Sequence, residues 1–201
     1  VASPVLAIAP FINNQTLTIP ENSPNGTFTD PSTIFAIDPE KQPLTYDVLP
    51  GSTGEGIFQV NNTTGQVTVI DGNALDYETT TSYTLIVKVT DTEFLSDTAT
   101  ITINVGDESD EPPTMGDQLF NVPENSGNNA TVGQLAFDDI DVNDTHTFTI
   151  QSGNGTGLGA FQIDSTGKIS VKDTTQLNHE TTPQFILTVR IQDEGGAFDT
   201  A

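Results

Sequence analysis

The sequence predicts an all-β chain built as two tandem seven-stranded Greek-key β-sandwiches, the second lacking its last strand. Three observations carry this expectation. The chain repeats itself at an offset near one hundred residues, its regular apolar runs have a period of two, and no stretch has the length and 3.6-residue periodicity of an amphipathic helix.

The repeat is read from three matched strings. TIPENSPNGT at 18–27 returns as VPENSGNNAT at 122–131, FQVNNTTGQVTV at 58–69 as FQIDSTGKISV at 161–171, and LDYETTTSYTLIVKVTD at 75–91 as LNHETTPQFILTVRIQD at 177–193. Pro20 and Pro123 stand 103 apart, and Asp91 and Asp193 stand 102 apart. A unit of about a hundred residues is a complete domain, whereas a solenoid element is shorter and needs its neighbours to fold. The expected organisation is an N-terminal linker segment at 1–11, a first repeat at 12–106, a connecting linker at 107–113 and a second repeat at 114–201.

Within each unit, alternation places the strands. Tyr83, Leu85, Val87 and Val89 alternate with Thr84, Ile86, Lys88 and Thr90, and Ala99, Ile101, Ile103 and Val105 alternate with Thr100, Thr102 and Asn104. Both are patterns of half-buried strands. Asn62-Thr63-Thr64-Gly65 predicts a hairpin turn between strands at 58–60 and 67–69, and Asp164-Ser165-Thr166-Gly167 is its copy. About seven short strands at regular spacing argue for a sandwich. The Gly- and Asn-rich stretch 152–159 predicts a flexible surface loop. The second unit reaches only Phe198-Asp199-Thr200-Ala201, where the copy of the 98–105 strand begins. Two readings are open there: the piece ends early, or a partner supplies the strand by β-augmentation.

Charge narrows the function. Five basic residues face 28 acidic ones, a formal net charge of −23. Nucleic acid requires a basic face, so it is excluded as a partner, and an anionic membrane surface is disfavoured on the same ground. No apolar run approaches the roughly 20 residues of a membrane span, so direct membrane insertion is not expected. The absence of Cys removes disulfides, thiol catalysis and thiolate metal sites. Divalent cations are the natural counter-charge.

The acids recur at matched places, beside Pro, Asn or Gly at strand ends. Glu21, Asp38, Glu40, Asp76, Glu78 and Asp91 have the copies Glu124, Asp139, Asp141, Asn178, Glu180 and Asp193. More acids gather between the units, in VGDESDEPPT at 105–114, and two prolines follow them. Carboxylates one residue apart on a turning, extended backbone can aim at one point, and a hard cation such as Ca²⁺ takes about six to eight such oxygens. Solvating charge alone gives no reason for matched positions or for concentration at the single joint.

The strings PEN, LDYE, V-x-V-x-D and D-x-x-D-x-P-P, in this order, resemble extracellular cadherin repeats, and the Thr, Asn and Asp richness is similar to that of bacterial cadherin-like repeats. The resemblance covers nearly the whole chain. It implies an Ig-like sandwich in each unit and about three Ca²⁺ ions at the joint. By position, Glu21, Asp76, Glu78 and Asp110 would serve the first ion. The second would share Glu21, Glu78 and Asp110 and add Asp107, Asp141 and the Glu108 carbonyl. The third would take Asp139, Asp141, Asp193, Ser109, Glu111 and a carbonyl near Asn143. Ser109 and Glu111 stand where the family pattern has Asn. The implied function is a calcium-rigidified segment of an adhesion or stalk protein at the cell surface or in the extracellular space, with neighbouring repeats as partners. The alternative is a calcium-dependent module that binds polysaccharide or a like protein. The chain has no Trp, and Tyr46, Tyr77 and Tyr83 fall at strand or motif positions, which favours the stalk.

An enzyme is not expected. Paired acids can be glycosidase carboxylates, but here they are matched between copies, and none has a local reason to be singled out. His146 and His179 lie at unmatched places and read as structural. Seven N-x-S/T sequons, at Asn14, Asn25, Asn61, Asn62, Asn129, Asn143 and Asn154, hint at a glycosylated surface.

Overall fold

The computed structural model describes residues 6–141 and 144–201. The chain divides into two compact units, residues 1–107 and 108–201.

In the first unit, two-residue strands β1 (Phe11–Ile12) and β4 (Ala36–Ile37) pair with each other. Seven longer strands form the sandwich: β2 (Gln15–Pro20), β3 (Phe28–Thr33), β5 (Thr45–Leu49), β6 (Phe58–Val60), β7 (Gln66–Val69), β8 (Ser82–Thr90) and β9 (Ser96–Gly106). Their hydrogen-bonded order is β5-β8-β9-β2-β3-β7-β6. All pairings are antiparallel except β2 with β9, which run parallel from Gln15 opposite Ile101 to Pro20 opposite Gly106. Leu17, Leu85, Val87 and Ile101 from one side share a single core with Phe58, Val67 and Val69 from the other, so the ladder closes on itself as two layers. The period-two reading of β8 and β9 holds along both strands: Tyr83, Leu85, Val87 and Val89, then Ala99, Ile101, Ile103 and Val105, are all buried. Each Ile or Leu removed from water contributes about 1.5–3 kcal/mol.

The second unit repeats this plan with β10 (Thr131–Gln134), β11 (Thr147–Ser152), β12 (Phe161–Ile163), β13 (Lys168–Val171), β14 (Thr188–Gln192) and β15 (Phe198–Thr200). One layer has the order β10-β13-β12 and the other β11-β14-β15. β15 is the first part of the copy of β9. Matched contacts show how closely the units agree. Ile12 N donates to Asp97 Oδ2 at 3.0 Å, and Met115 N donates to Asp199 Oδ2 at 2.8 Å. Phe58 meets Tyr83 edge-on at 5.8 Å, and Phe161 meets Phe185 edge-on at 5.1 Å.

Both predicted hairpin turns are present, between β6 and β7 and between β12 and β13. Each needs its glycine. Gly65 (φ +70°) and Gly167 (φ +82°) sit in the left-handed region, and an added Cβ would come within 2.9 Å of the Tyr46 ring and 3.1 Å of the Phe148 ring. The 152–159 loop is held more firmly than its composition suggests. Asn154 donates from Nδ2 to the Phe161 carbonyl at 2.8 Å and accepts from Phe161 N at 2.7 Å, and Gln176 Oε1 accepts from Thr156 N at 2.7 Å. The glycines supply the positive φ angles that this pinned path requires.

Candidate metal centre

In the first unit, Glu21 follows β2 and is buried. Asn22 takes a left-handed conformation (φ +54°), and Asn22 N donates to the Leu75 carbonyl at 3.0 Å, turning the chain there. Glu21 Oε2 accepts from Tyr77 N at 2.7 Å, which draws the 76–78 stretch against it. Asp76 is fixed by Thr79, whose amide and hydroxyl both donate to it at 2.9 Å. Glu21, Asp76 and Glu78 thereby each place a carboxylate oxygen within 4.8 Å of the others. The group lies at the end of the unit where β9 stops and Asp107, half-buried, follows. At the opposite end of the ladder, Asp38 and Asp91 are buried. Asp38 Oδ1 accepts from Glu40 N and Gln42 N, and Asp91 Oδ1 accepts from Glu93 N and Leu95 N, all at 2.8–3.0 Å. The Oδ2 atoms of both acids are buried without a hydrogen-bond donor among the described residues.

In the second unit, Asp141 is 4% exposed. Its Oδ2 accepts from Asp110 N at 3.0 Å and Glu111 N at 3.1 Å, so it anchors the entering segment. Burial pushes its carboxyl above the ordinary aspartate range and the charge of Asp139 adds to this, against the hydrogen bonds from Glu111 and Asp110. Asp110, Glu111 and Asp141 each offer an oxygen within 4.8 Å of the others. Asp193, also buried, accepts from Gly196 N through Oδ1 at 2.6 Å. Asp141 Oδ1 and Asp193 Oδ2 are buried without a donor among the described residues.

The predicted site residues thus fall into place unevenly. Asp110, Glu111 and Asp141 come together, as do Glu21, Asp76 and Glu78. Asp139 and Asp193 are outside the close sets among the described residues. Asp139 instead pairs with His146 Nε2 at 2.6 Å. Ser109 donates to Asp144 Oδ2 at 2.5 Å and accepts from Gly195 N at 3.0 Å. Glu108 is exposed, and Asn143 lies outside the described residues. Asp144 and His146 were not among the site residues expected from sequence. A signal existed for His146, which occupies the copy of the partly buried apolar Leu44.

The donor set tests well against a hard cation. The candidate ligands in both close sets are carboxylate oxygens, no thiol exists, and the imidazole nearest the acids already faces Asp139. Two unit charges 4.8 Å apart repel by about 3.5 kcal/mol at an effective dielectric of about 20. Three close carboxylates, one of them Asp141 with a buried oxygen that has no donor among the described residues, call for positive charge.

The Cadherin domain family matches residues 15–106 and 118–201. Cadherin-2A of Xenopus laevis is 34% identical over 195 residues, covering 88% of this chain and 21% of that protein. Human Cadherin-2 is 32% identical over 197 residues, again covering 88% of this chain and 21% of that protein. Among solved structures, the human Desmocollin-1 ectodomain superposes with a TM-score of 0.74 at 28% identity, over 92% of this chain and 37% of that one. The chain spans about a fifth of the length of the curated relatives it matches. The chain belongs to the cadherin family and comprises two of its extracellular repeats. Cadherin domains bind Ca²⁺ in general, and the family is one of adhesion proteins, not enzymes. Among the described residues, no helix is long and apolar enough to cross a membrane.

Proposed function

We propose that this pair of repeats is a calcium-rigidified segment of an adhesion or stalk protein, and that residues 107–113 are the calcium-binding connection between repeats at 12–106 and 114–201. About three ions are held. Glu21, Asp76, Glu78 and Asp107 serve from the first repeat and Glu108, Ser109, Asp110 and Glu111 from the connection. Asp139, Asp141, Asn143 and Asp193 serve from the second repeat. The single observation that supports this most is the set Asp110, Glu111 and Asp141, whose carboxylates crowd within 4.8 Å around a buried acid.

The mechanism is electrostatic. An ion that takes oxygens from both repeats and from the connection is bound only when all three hold one pose, so its binding energy becomes rigidity. Without the ion, the same carboxylates repel, and the prolines at 112 and 113 leave an extended tether. A rigid segment holds whatever lies beyond it at a fixed distance and angle. The partners of such a segment are neighbouring repeats and a like protein; a polysaccharide partner finds no support among the relatives. Isothermal calorimetry with Ca²⁺ tests the reading. Saturable heat with affinity near 10⁻⁴–10⁻³ M is expected, as for extracellular calcium modules. No heat at millimolar Ca²⁺ contradicts it.

A further inference from the structure

One acid of the second unit departs from the pattern its copies follow. Asp38 and Asp91 of the first unit are matched by Asp139 and Asp193 of the second. Each ties one carboxylate oxygen to a backbone amide. Asp38 Oδ1 accepts from Glu40 N, Asp91 Oδ1 from Glu93 N, Asp193 Oδ1 from Gly196 N and Asp139 Oδ1 from Asp141 N, at 2.6–3.2 Å. In Asp38, Asp91 and Asp193 the other oxygen, Oδ2, is buried with no donor among the described residues. A buried carboxylate oxygen is costly to keep that way unless a cation serves it. Asp139 differs, because its Oδ2 meets His146 Nε2 at 2.6 Å.

This pair is built into the fold. The side chains of His146 and Asp139 are 12% and 5% exposed. The imidazole rests on Phe137 with ring centres 4.7 Å apart, and Phe137 in turn meets the core residue Phe148 edge-on at 5.4 Å. The first unit has Leu44 at the copy of His146, packed against its core, and an alkyl side chain donates nothing. The imidazole and the loss of the donor-free oxygen therefore occur together. An ionised carboxylate only accepts, so Nε2 carries the hydrogen and donates it. Bonds of this kind are among the stronger ones in proteins. Asp139 also lies outside the close set of Asp110, Glu111 and Asp141, although Asp141 is only two residues further on.

We infer that His146 is a positioning residue for Asp139 and sets the affinity of the third ion. Its Nε2–H holds the oxygen that the cation would take, so the ion shared by Asp139, Asp141 and Asp193 binds by displacing that bond. This ion is accordingly the last of the set to bind. The inference rests on the calcium reading proposed above and assigns a role to a residue that is not itself a ligand.

The test compares the parent with His146→Leu, which installs the residue type of the first unit, and with His146→Gln, whose amide keeps a donor. Calcium calorimetry at one fixed pH is read beside proton–nitrogen NMR of the imidazole. In chelator the parent should show a hydrogen-bonded Nε2–H signal, assigned by its absence from the Leu variant, and saturating Ca²⁺ should abolish it. His146→Leu should tighten the weakest class of calcium sites about ten-fold, the scale of one hydrogen bond to a charged group, and His146→Gln should stay within about three-fold of the parent. A Leu variant that binds calcium as the parent does or more weakly, or an Nε2–H signal that calcium leaves unmoved, overturns the inference while the parent's own calcium heat keeps the proposed function standing. Absence of calcium heat in the parent fails the proposed function and this inference with it. Should the Leu variant fail to fold, the parent's imidazole signal decides alone.

Discussion

Asp141→Asn separates a metal ligand from a merely structural acid, because the two roles predict opposite signs. In the metal-free protein, Asp141 lies within 4.8 Å of the carboxylates of Asp110 and Glu111. The substitution removes two like-charge pairs, each about 3.5 kcal/mol at an effective dielectric of about 20. Asp110 is exposed and Glu111 half-buried, so solvent screens much of this, and about 1–3 kcal/mol of net stabilisation is expected. The asparagine carbonyl can still accept from Asp110 N and Glu111 N, so the anchor of the entering segment survives. For a domain of this size, about 1 kcal/mol moves Tm by roughly 4–8 °C. Calorimetry in chelator should therefore show the second unit melting higher in the variant than in the parent. In Ca²⁺ the order reverses. At a free concentration about 100-fold above Kd, each site adds about 2.7 kcal/mol to the parent, and the variant should gain little of this. A variant destabilised in chelator that keeps the full calcium response would show that Asp141 serves only as a hydrogen-bond anchor, and the reasoning would fail.

Other outcomes follow from the same geometry. Glu78→Ala, which removes a member of the Glu21, Asp76 and Glu78 group, should weaken calcium binding measured by calorimetry far more than Glu180→Ala. Equal losses would count against the assignment. Ile101→Ala, at a fully buried position of β9, should lower the denaturation free energy of the first unit by about 2–5 kcal/mol, whereas Phe94→Ala, 88% exposed, should change it by less than about 0.5 kcal/mol. The Thr166 hydroxyl and amide and the Lys168 amide hold the Asp164 carboxyl below its ordinary value. Its contribution to stability is therefore present above the unfolded-state value of 3.8 and lost as pH falls through the lower folded value. The stability gap between the parent and Asp164→Asn should close on acidification below about pH 4, as thermal melts at stepped pH would show.

Strand alternation was legible because β8 and β9 each bury one face, and burial enforces a period of two on every residue from Tyr83 to Val105 that faces the core. The turn signals were equally direct, since Gly65 and Gly167 meet a steric need. The 152–159 loop was less legible. Its glycines suggest looseness, but the side chains of Asn154 and Gln176 fix the path through contacts that no local rule anticipates. Asn154, read as a sequon, spends both ends of its amide on Phe161. At the candidate site, matched positions and the acidic connection pointed to the acids but not to their pairing. Asp139 faces His146, which stands where the first unit has the apolar Leu44, and Ser109 meets Asp144; neither pairing follows from the matched acids alone.

The central claim is that calcium held jointly by both repeats and by their connection fixes one relative pose. Small-angle X-ray scattering of the 201-residue chain, first in Ca²⁺ and then in chelator, tests it most directly. The account predicts a single extended particle in Ca²⁺ and, after chelation, a broadened distribution of distances between two unchanged units. Identical curves in the two buffers, with calorimetry confirming that calcium had bound and been removed, would contradict it.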